Sequence, residues 1–264
     1  MARLSLAALR ERIARIEQAG VSLAEENKKV PLGHTGADAV LLGGIAPGAL
    51  HEIYASERDS VSASAFAAML ALRVARPKSF LLWVRQDFTA HQCGQLSAQG
   101  LFDLGIDPER LLLVKTRSAA EALRAASDAF SCKALGAIVF EVWRQPKSLD
   151  LVASRKLTLR AGASNVTIFL IRVAAQDAMP STAETRWFVR ALPTPDFVGE
   201  WGNPLFEATL ARNRHGQTGA WAMEWNCDAR VFGEIPQNPR ARLSGAYPRP
   251  HPAEPETPRR SASR

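Results

Sequence analysis

The strongest constraint on how this chain folds is the stretch Leu41–Ala75, LLGGIAPGALHEIYASERDSVSASAFAAMLALRVA. Gly43, Gly44, Pro47 and Gly48 mark a turn, Ala49 to Tyr54 form an apolar segment, a short polar loop follows, and an alanine- and leucine-rich helix closes the unit. Strand, loop and helix in this order are the layout of a phosphate-binding loop. Such a loop requires G-x-x-x-x-G-K-[ST], because glycines let backbone N–H groups wrap the phosphates and the lysine neutralises their charge. The aligned positions here are Ala55, Ser60, Val61 and Ser62. Both glycines and the lysine are replaced, and only the last hydroxyl is kept. The sequence therefore predicts the frame of a nucleotide site without its anion-binding groups.

The rest of the chain predicts an α/β fold. Ser62–Arg76 has helical character and is stopped by Pro77; residues 90–103, 118–131 and 149–161 are read as further helices. Between them lie the short apolar runs Ser79–Val84, Arg110–Val114, Ala137–Glu141 and Val166–Ile171, the pattern of buried parallel strands. Residues 174–203 are rich in Pro, Ser, Thr and Gly and read as a long loop. Leu205–Asn213 and Gly219–Cys227 alternate with period two, placing Trp221, Met223 and Trp225 on one face, and are expected to be antiparallel edge strands. At the N-terminus Leu6, Leu9, Ile13 and Ile16 follow helical spacing. The expected organisation is an amphipathic helix over 1–20, a linker over 21–35, a core over 36–235 and a disordered Pro/Arg-rich tail over 236–264.

Composition narrows the function classes. The 264 residues carry a net charge of +7, and residues 240–264 contribute six arginines against two glutamates, so much of the excess lies in the tail. Charge alone is thus weak support for nucleic-acid binding. No apolar run approaches the roughly 20 residues that span a bilayer, and no secretory pattern is read, so a cytoplasmic protein without membrane contact is expected. The three cysteines, Cys93, Cys132 and Cys227, and the five histidines are scattered, which argues against a disulfide framework or a metal centre.

The order of segments over residues 36–232 resembles bacterial RecA. Gly43–Ile53 matches the run entering its phosphate loop, and Ile138-Val139-Phe140-Glu141 falls on its Walker B strand, with Glu141 in the place of an aspartate. Asp87 falls near the family's catalytic glutamate. More closely, the chain resembles the ImuA family of RecA-like proteins. The matching residues are Leu6–Glu17 (LAALRERIARIE), Pro47–Ile53 (PGALHEI) and Ala211–Gly219 (ARNRHGQTG).

That resemblance implies a RecA-like, P-loop NTPase-type core. It also implies a non-catalytic accessory role in SOS-induced, error-prone translesion synthesis, with ImuB, a DnaE-type polymerase and RecA as partners. Leu6, Leu9, Ile13 and Ile16 are the expected docking residues. Ala55, Ser60, Val61, Ser62 and Glu141 form the degenerate nucleotide loop, with no cofactor expected and weak ATP/Mg binding as the alternative. The RecA loops that line DNA correspond to Val142–Ser148 and to the region holding Arg186, Trp187, Arg190 and Trp201. This makes Trp143, Arg144, Lys147, Arg186 and Arg190 the candidate DNA contacts. The turn Arg212, Arg214, His215 is a possible further docking point. Two competing readings are an ATP-hydrolysing recombinase-like enzyme and a cell-division inhibitor of the SulA type.

Overall fold

The computed structural model describes residues 28–175, 178–193 and 202–235. The N-terminal helix with Leu6, Leu9, Ile13 and Ile16, the tail over 236–264, and Trp201 lie outside the described residues. The described chain is a mixed α/β fold around a nine-stranded sheet. In chain order its elements are α1 (Thr35–Val40), β1 (Leu50–Ala55), α2 (Ser60–Val74), β2 (Phe80–Gln86), α3 (Asp87–Cys93), α4 (Ala98–Asp103), β3 (Leu111–Thr116), α5 (Ala119–Ala129), β4 (Leu135–Trp143), α6 (Leu151–Ser164), β5 (Thr167–Val173), β6 (Thr185–Ala191), β7 (Leu205–Asn213), β8 (Gly219–Asn226) and β9 (Val231–Glu234). The strand order is β3-β2-β4-β5-β1-β6-β7-β8-β9. The strands from β3 through β6 pair in parallel, and β7 to β9 complete one side in antiparallel fashion.

Parallel strands need helical crossovers, and the crossovers cover both faces. All six residues of β1 and all seven of β5 are buried accordingly. On one face α2 lies across the sheet. Its Ala63, Ala67, Ala68 and Ala71 let the helix approach closely, and Phe66 projects into Trp187, Phe206 and Phe232 at ring separations of 5.7, 5.7 and 5.2 Å. Met223 and Trp225 face the same cluster, so the period-two pattern of β8 is the one the fold uses. On the other face α5 and α6 contribute Ala122, Ala126, Leu157 and Ala161 to a second core.

Three expectations are corrected. Thr185–Ala191, read as part of a long loop, is strand β6, which joins the parallel and antiparallel parts by pairing with β1 and β7. Its alternating arginines at 186 and 190 hide the strand signal, because one row of side chains leaves the apolar core. The single helix expected over 90–103 is two, α3 and α4, separated at Gly94 with φ of +82°, a conformation that ends a helix. Within the expected linker, Val30 pairs with Ile45, and Leu32 and His34 are buried, so packing begins before residue 36. That pairing explains Gly44: with φ of +123°, a Cβ there would sit 2.1 Å from the Val30 carbonyl oxygen.

His51 staples the entry turn to the sheet. Its Nε2 lies 2.8 Å from the Ala46 carbonyl and must donate to it, which leaves Nδ1 to accept from the Thr185 hydroxyl at 2.8 Å. The ring is fully buried, stacked on Phe169, and burial lowers its pKa from 6.5 to about 4. A proton bound below pH 6.5 therefore favours the unfolded chain. This contribution to stability is complete above 6.5 and is lost as pH falls towards 4, by about 3 kcal/mol in all. His51→Gln, which keeps one donor and one acceptor, should reduce the stability difference between neutral and mildly acidic pH by about 2 kcal/mol. Urea unfolding of both proteins across that range checks it.

Candidate functional site

The β1–α2 connection keeps the length of a phosphate loop, with Ser56, Glu57, Arg58 and Asp59 between Ala55 and Ser60. Its bonding is inward. The Asp59 N–H donates to the Ser56 carbonyl at 3.2 Å, the Ser60 N–H to the Glu57 carbonyl at 3.3 Å, and the Ala63 N–H to the Asp59 carbonyl at 3.0 Å. The Asp59 carboxylate accepts from the Ser56 hydroxyl at 2.5 Å and from the Ala191 N–H at 3.0 Å. Two of the loop's amides thus close the turn on itself, and Asp59 stands at the N-cap position of α2 with its carboxylate turned to Ser56 and Ala191 and no bond to the helix amides. Ser60 is buried, Ser62 is half-buried, and Val61, in the lysine position, is 67% exposed.

Glu141, on β4, is fully buried. The parallel register sets Arg85 of β2 beside it. Arg85 Nε and Nη2 lie 3.0 and 3.1 Å from the two Glu141 oxygens, Trp83 Nε1 donates to Oε2 at 3.1 Å, and Arg85 Nη1 donates to the Gly94 carbonyl at 2.7 Å. Burial pushes the Glu141 carboxyl above its ordinary range, opposed by Arg85, Trp83 and Ser64. A protein cation therefore already neutralises the acid read as the Walker B group. Asp87 opens α3, directly after β2.

A cavity of about 580 Å³ lies beside this pair and the altered loop, lined by Val61, Ser62, Arg85, Cys93, Leu101 and Phe206 among others. Its lining is largely apolar. The Cys93 thiol is pushed up by burial and stays protonated at neutral pH. No group of three His, Cys, Asp or Glu that could hold a metal occurs among the described residues.

The residues expected along a DNA path separate in space. Trp143 ends β4, and exposed Arg144 and Lys147 follow it. Arg144 has φ of +57°, and its N–H donates to the Val173 carbonyl at 2.6 Å, which turns the chain sharply. Phe88, 46% exposed, packs edge-on against Trp143 at 5.6 Å. Sequence reading missed it, because its only signal is one aromatic residue in a polar helix.

Arg186 is not on a loop. Its guanidinium donates to Glu52 Oε2 at 2.9 and 3.1 Å and to the Met179 carbonyl at 2.6 Å, and it lies 5.4 Å over the Tyr54 ring. Glu52 also faces Arg172 at 3.4 Å and accepts from the Ser181 hydroxyl at 2.7 Å. Trp187 is wholly buried, and exposed Arg190 lies 3.7 Å from Glu207. Arg212 donates to the Ser181 carbonyl at 2.7 Å, Arg214 is exposed, and His215 is 3.5 Å from Glu184.

No protein-family model matches this chain. Two curated proteins do: Protein ImuA of Caulobacter vibrioides strain NA1000 / CB15N and Protein ImuA of strain ATCC 19089 / CIP 103742 / CB 15. Each is 27% identical over 198 residues, spanning 69% of this chain and 77% of the relative. The chain is similar to ImuA, in agreement with the resemblance carried by its own motifs.

Cutting one half of the Arg85–Glu141 pair leaves a buried charge without its partner. Glu141→Gln and Arg85→Met should each cost about 3 kcal/mol of unfolding free energy, and the double variant much less than their sum. Denaturant titration of the four proteins measures the coupling.

Proposed function

We propose that this chain is an accessory component of an ImuA/ImuB-type mutagenesis system, which works through protein contacts during error-prone translesion synthesis. The carrying observation is the similarity to ImuA together with the state of the β1–α2 loop. The proposal takes the core to be RecA-like: four residues separate Ala55 from Ser60, as in a phosphate loop, and Glu141 sits on a central parallel strand.

The chemistry of the loop favours a scaffold over an enzyme. ATP turnover needs held phosphates, a bound metal and a positioned water. At the first of these requirements the chain offers Val61 in place of lysine, with the Asp59 carboxylate, bonded to Ser56 and Ala191, adding negative charge beside the loop. At the second, Arg85 competes with any metal for Glu141. The partners proposed are ImuB, the DnaE-type polymerase and RecA, with Leu6, Leu9, Ile13 and Ile16 as the docking stripe. A second reading, direct contact with single-stranded DNA, is favoured by one specific arrangement: exposed Phe88 against Trp143, next to Arg144 and Lys147.

The test is a pull-down of each partner with the full chain and with the Leu9→Glu/Ile13→Glu variant, alongside ATP-analogue titration. The expected result is partner capture by the wild type and its loss in the variant, with the same far-UV circular dichroism, and no saturable nucleotide binding at micromolar concentration. DNA-stimulated phosphate release abolished by Glu141→Gln would overturn the scaffold reading in favour of a recombinase-like enzyme. Capture of the division GTPase in place of the three partners would favour a SulA-type inhibitor.

A further inference from the structure

Helix α6 packs on the sheet with one side only. Ala153, Ser154, Leu157 and Ala161 are its buried residues, and at 3.6 residues per turn they fall within about 100° of its circumference. The opposite side carries two stripes. Leu151, Arg155 and Leu159 follow one another a turn apart, and Val152, Lys156 and Arg160 do the same beside them. All six are exposed, Leu151 by 50%, Val152 by 60% and Leu159 by 64%. A single surface leucine is ordinary. Here three of the eleven large hydrophobic side chains exposed among the described residues lie within nine positions of one helix.

The charge of this side is equally uneven. Over its 14 residues α6 has three cations and no acid. A solvated helix ordinarily sets Glu against Lys or Arg a turn away, and α6 has no such pair. Asp150 precedes the helix, but its carboxylate is engaged as the N-cap, accepting from the Ala153 N–H at 2.8 Å. Arg155 and Lys156 have no ion pair among the described residues. The cations stand before the last turn, which holds none, so compensation of the helix dipole does not account for them. Arg160 donates to the Ser127 carbonyl of α5, which holds the second stripe in place.

We infer that the outer side of α6 is a docking surface for an acidic amphipathic helix of a partner protein. Aliphatic and cationic side chains alternate here, and the complement is a helix with an aliphatic seam flanked by Asp or Glu. Leu151, Val152 and Leu159 supply the contact that excludes water, and Arg155 and Lys156 steer and orient the guest. Single-stranded nucleic acid fits less well, because the aliphatic side chains would lie against a polyanion and α6 has no aromatic ring to stack on a base. An anionic bilayer calls for a continuous apolar side with cations at its borders, whereas Arg155 sits between two leucines of one stripe. The inference does not depend on the mutagenesis role, since it rests on the composition and exposure of α6 alone.

The test uses the full chain and two labelled helical peptides of about 20 residues, both with leucines at i, i+3, i+4 and i+7, one flanking them with glutamates and the other with lysines. Fluorescence anisotropy should show saturable binding of the acidic peptide and none of the basic one. Leu151→Gln/Leu159→Gln should weaken that binding about tenfold or more. Arg155→Glu/Lys156→Glu should transfer the preference to the basic peptide, an outcome that unfolding cannot produce. Failure of the acidic peptide to bind, or binding that these substitutions leave unchanged, overturns the inference. So does an oligothymidine strand or a phosphatidylserine vesicle that binds in the peptide's place and loses affinity in Arg155→Glu/Lys156→Glu, because the surface then serves nucleic acid or a membrane.

Discussion

The architecture depends on keeping two carboxylates charged-partnered inside a sheet that excludes water. Glu52 and Glu141 are both wholly buried, on β1 and β4, and each is held by arginine: Glu52 by Arg172 and Arg186, Glu141 by Arg85. An isolated carboxylate could not stay there, and a pair survives only with close geometry and the remaining lone pairs satisfied. Trp83 donates to Glu141 and Ser181 to Glu52, while Glu52 Oε1 and the facing Arg172 Nε, 3.4 Å apart, are without a hydrogen bond. These networks cross-link β2 to β4 and β5 to β1 to β6. They add a polar constraint on register to the one that the buried apolar faces already impose.

The same networks shape the region where an α/β sheet of this kind offers a ligand site. Arg85 reaches past Glu141 to the Gly94 carbonyl and so sets the α3–α4 turn, one wall of the cavity beside Val61 and Ser62. With its guanidinium shared between the Glu141 carboxylate and the Gly94 carbonyl, Arg85 is left with little to offer an anion. The loop across from it uses the Asp59 and Ser60 amides to close its own turn and carries the Asp59 carboxylate. The result is an apolar hollow bounded by neutralised charge, beside a turn that keeps the length of a phosphate loop while using its backbone for itself.

Much of the fold was legible in the sequence where the signal is local. β7 was read with the bounds it has, Leu205–Asn213, and the apolar runs at 79–84, 137–141 and 166–171 each fall on a strand, two of them starting one residue before it. Strand β6 was not legible, because its arginines serve a buried glutamate on another strand and so resemble surface charge. The helix break at Gly94 was hidden as well. A lone glycine in a helical pattern does not reveal that its carbonyl is claimed by Arg85. At the candidate site, the loss of the phosphate-binding groups could be read directly, since Ala55, Ser60, Val61 and Ser62 fall within eight consecutive residues. Phe88 could not be foreseen as the neighbour of Trp143, which lies 55 residues away in the chain.

The sequence by itself determined the alternation of strands and helices, the glycine-marked turn and the emptied loop. Each is written within a few residues, where backbone preference and hydrophobic period act. Tertiary structure alone decided which acid meets which arginine and which strand stands at the edge. Glu52 finds Arg186 across 134 positions of chain, and Glu141 finds Arg85 across 56. Leu112 and Leu113 read as core until the strand order puts β3 last in the sheet among the described residues. Pairing between distant segments is set by the register of the whole sheet, and no local window of sequence contains that register.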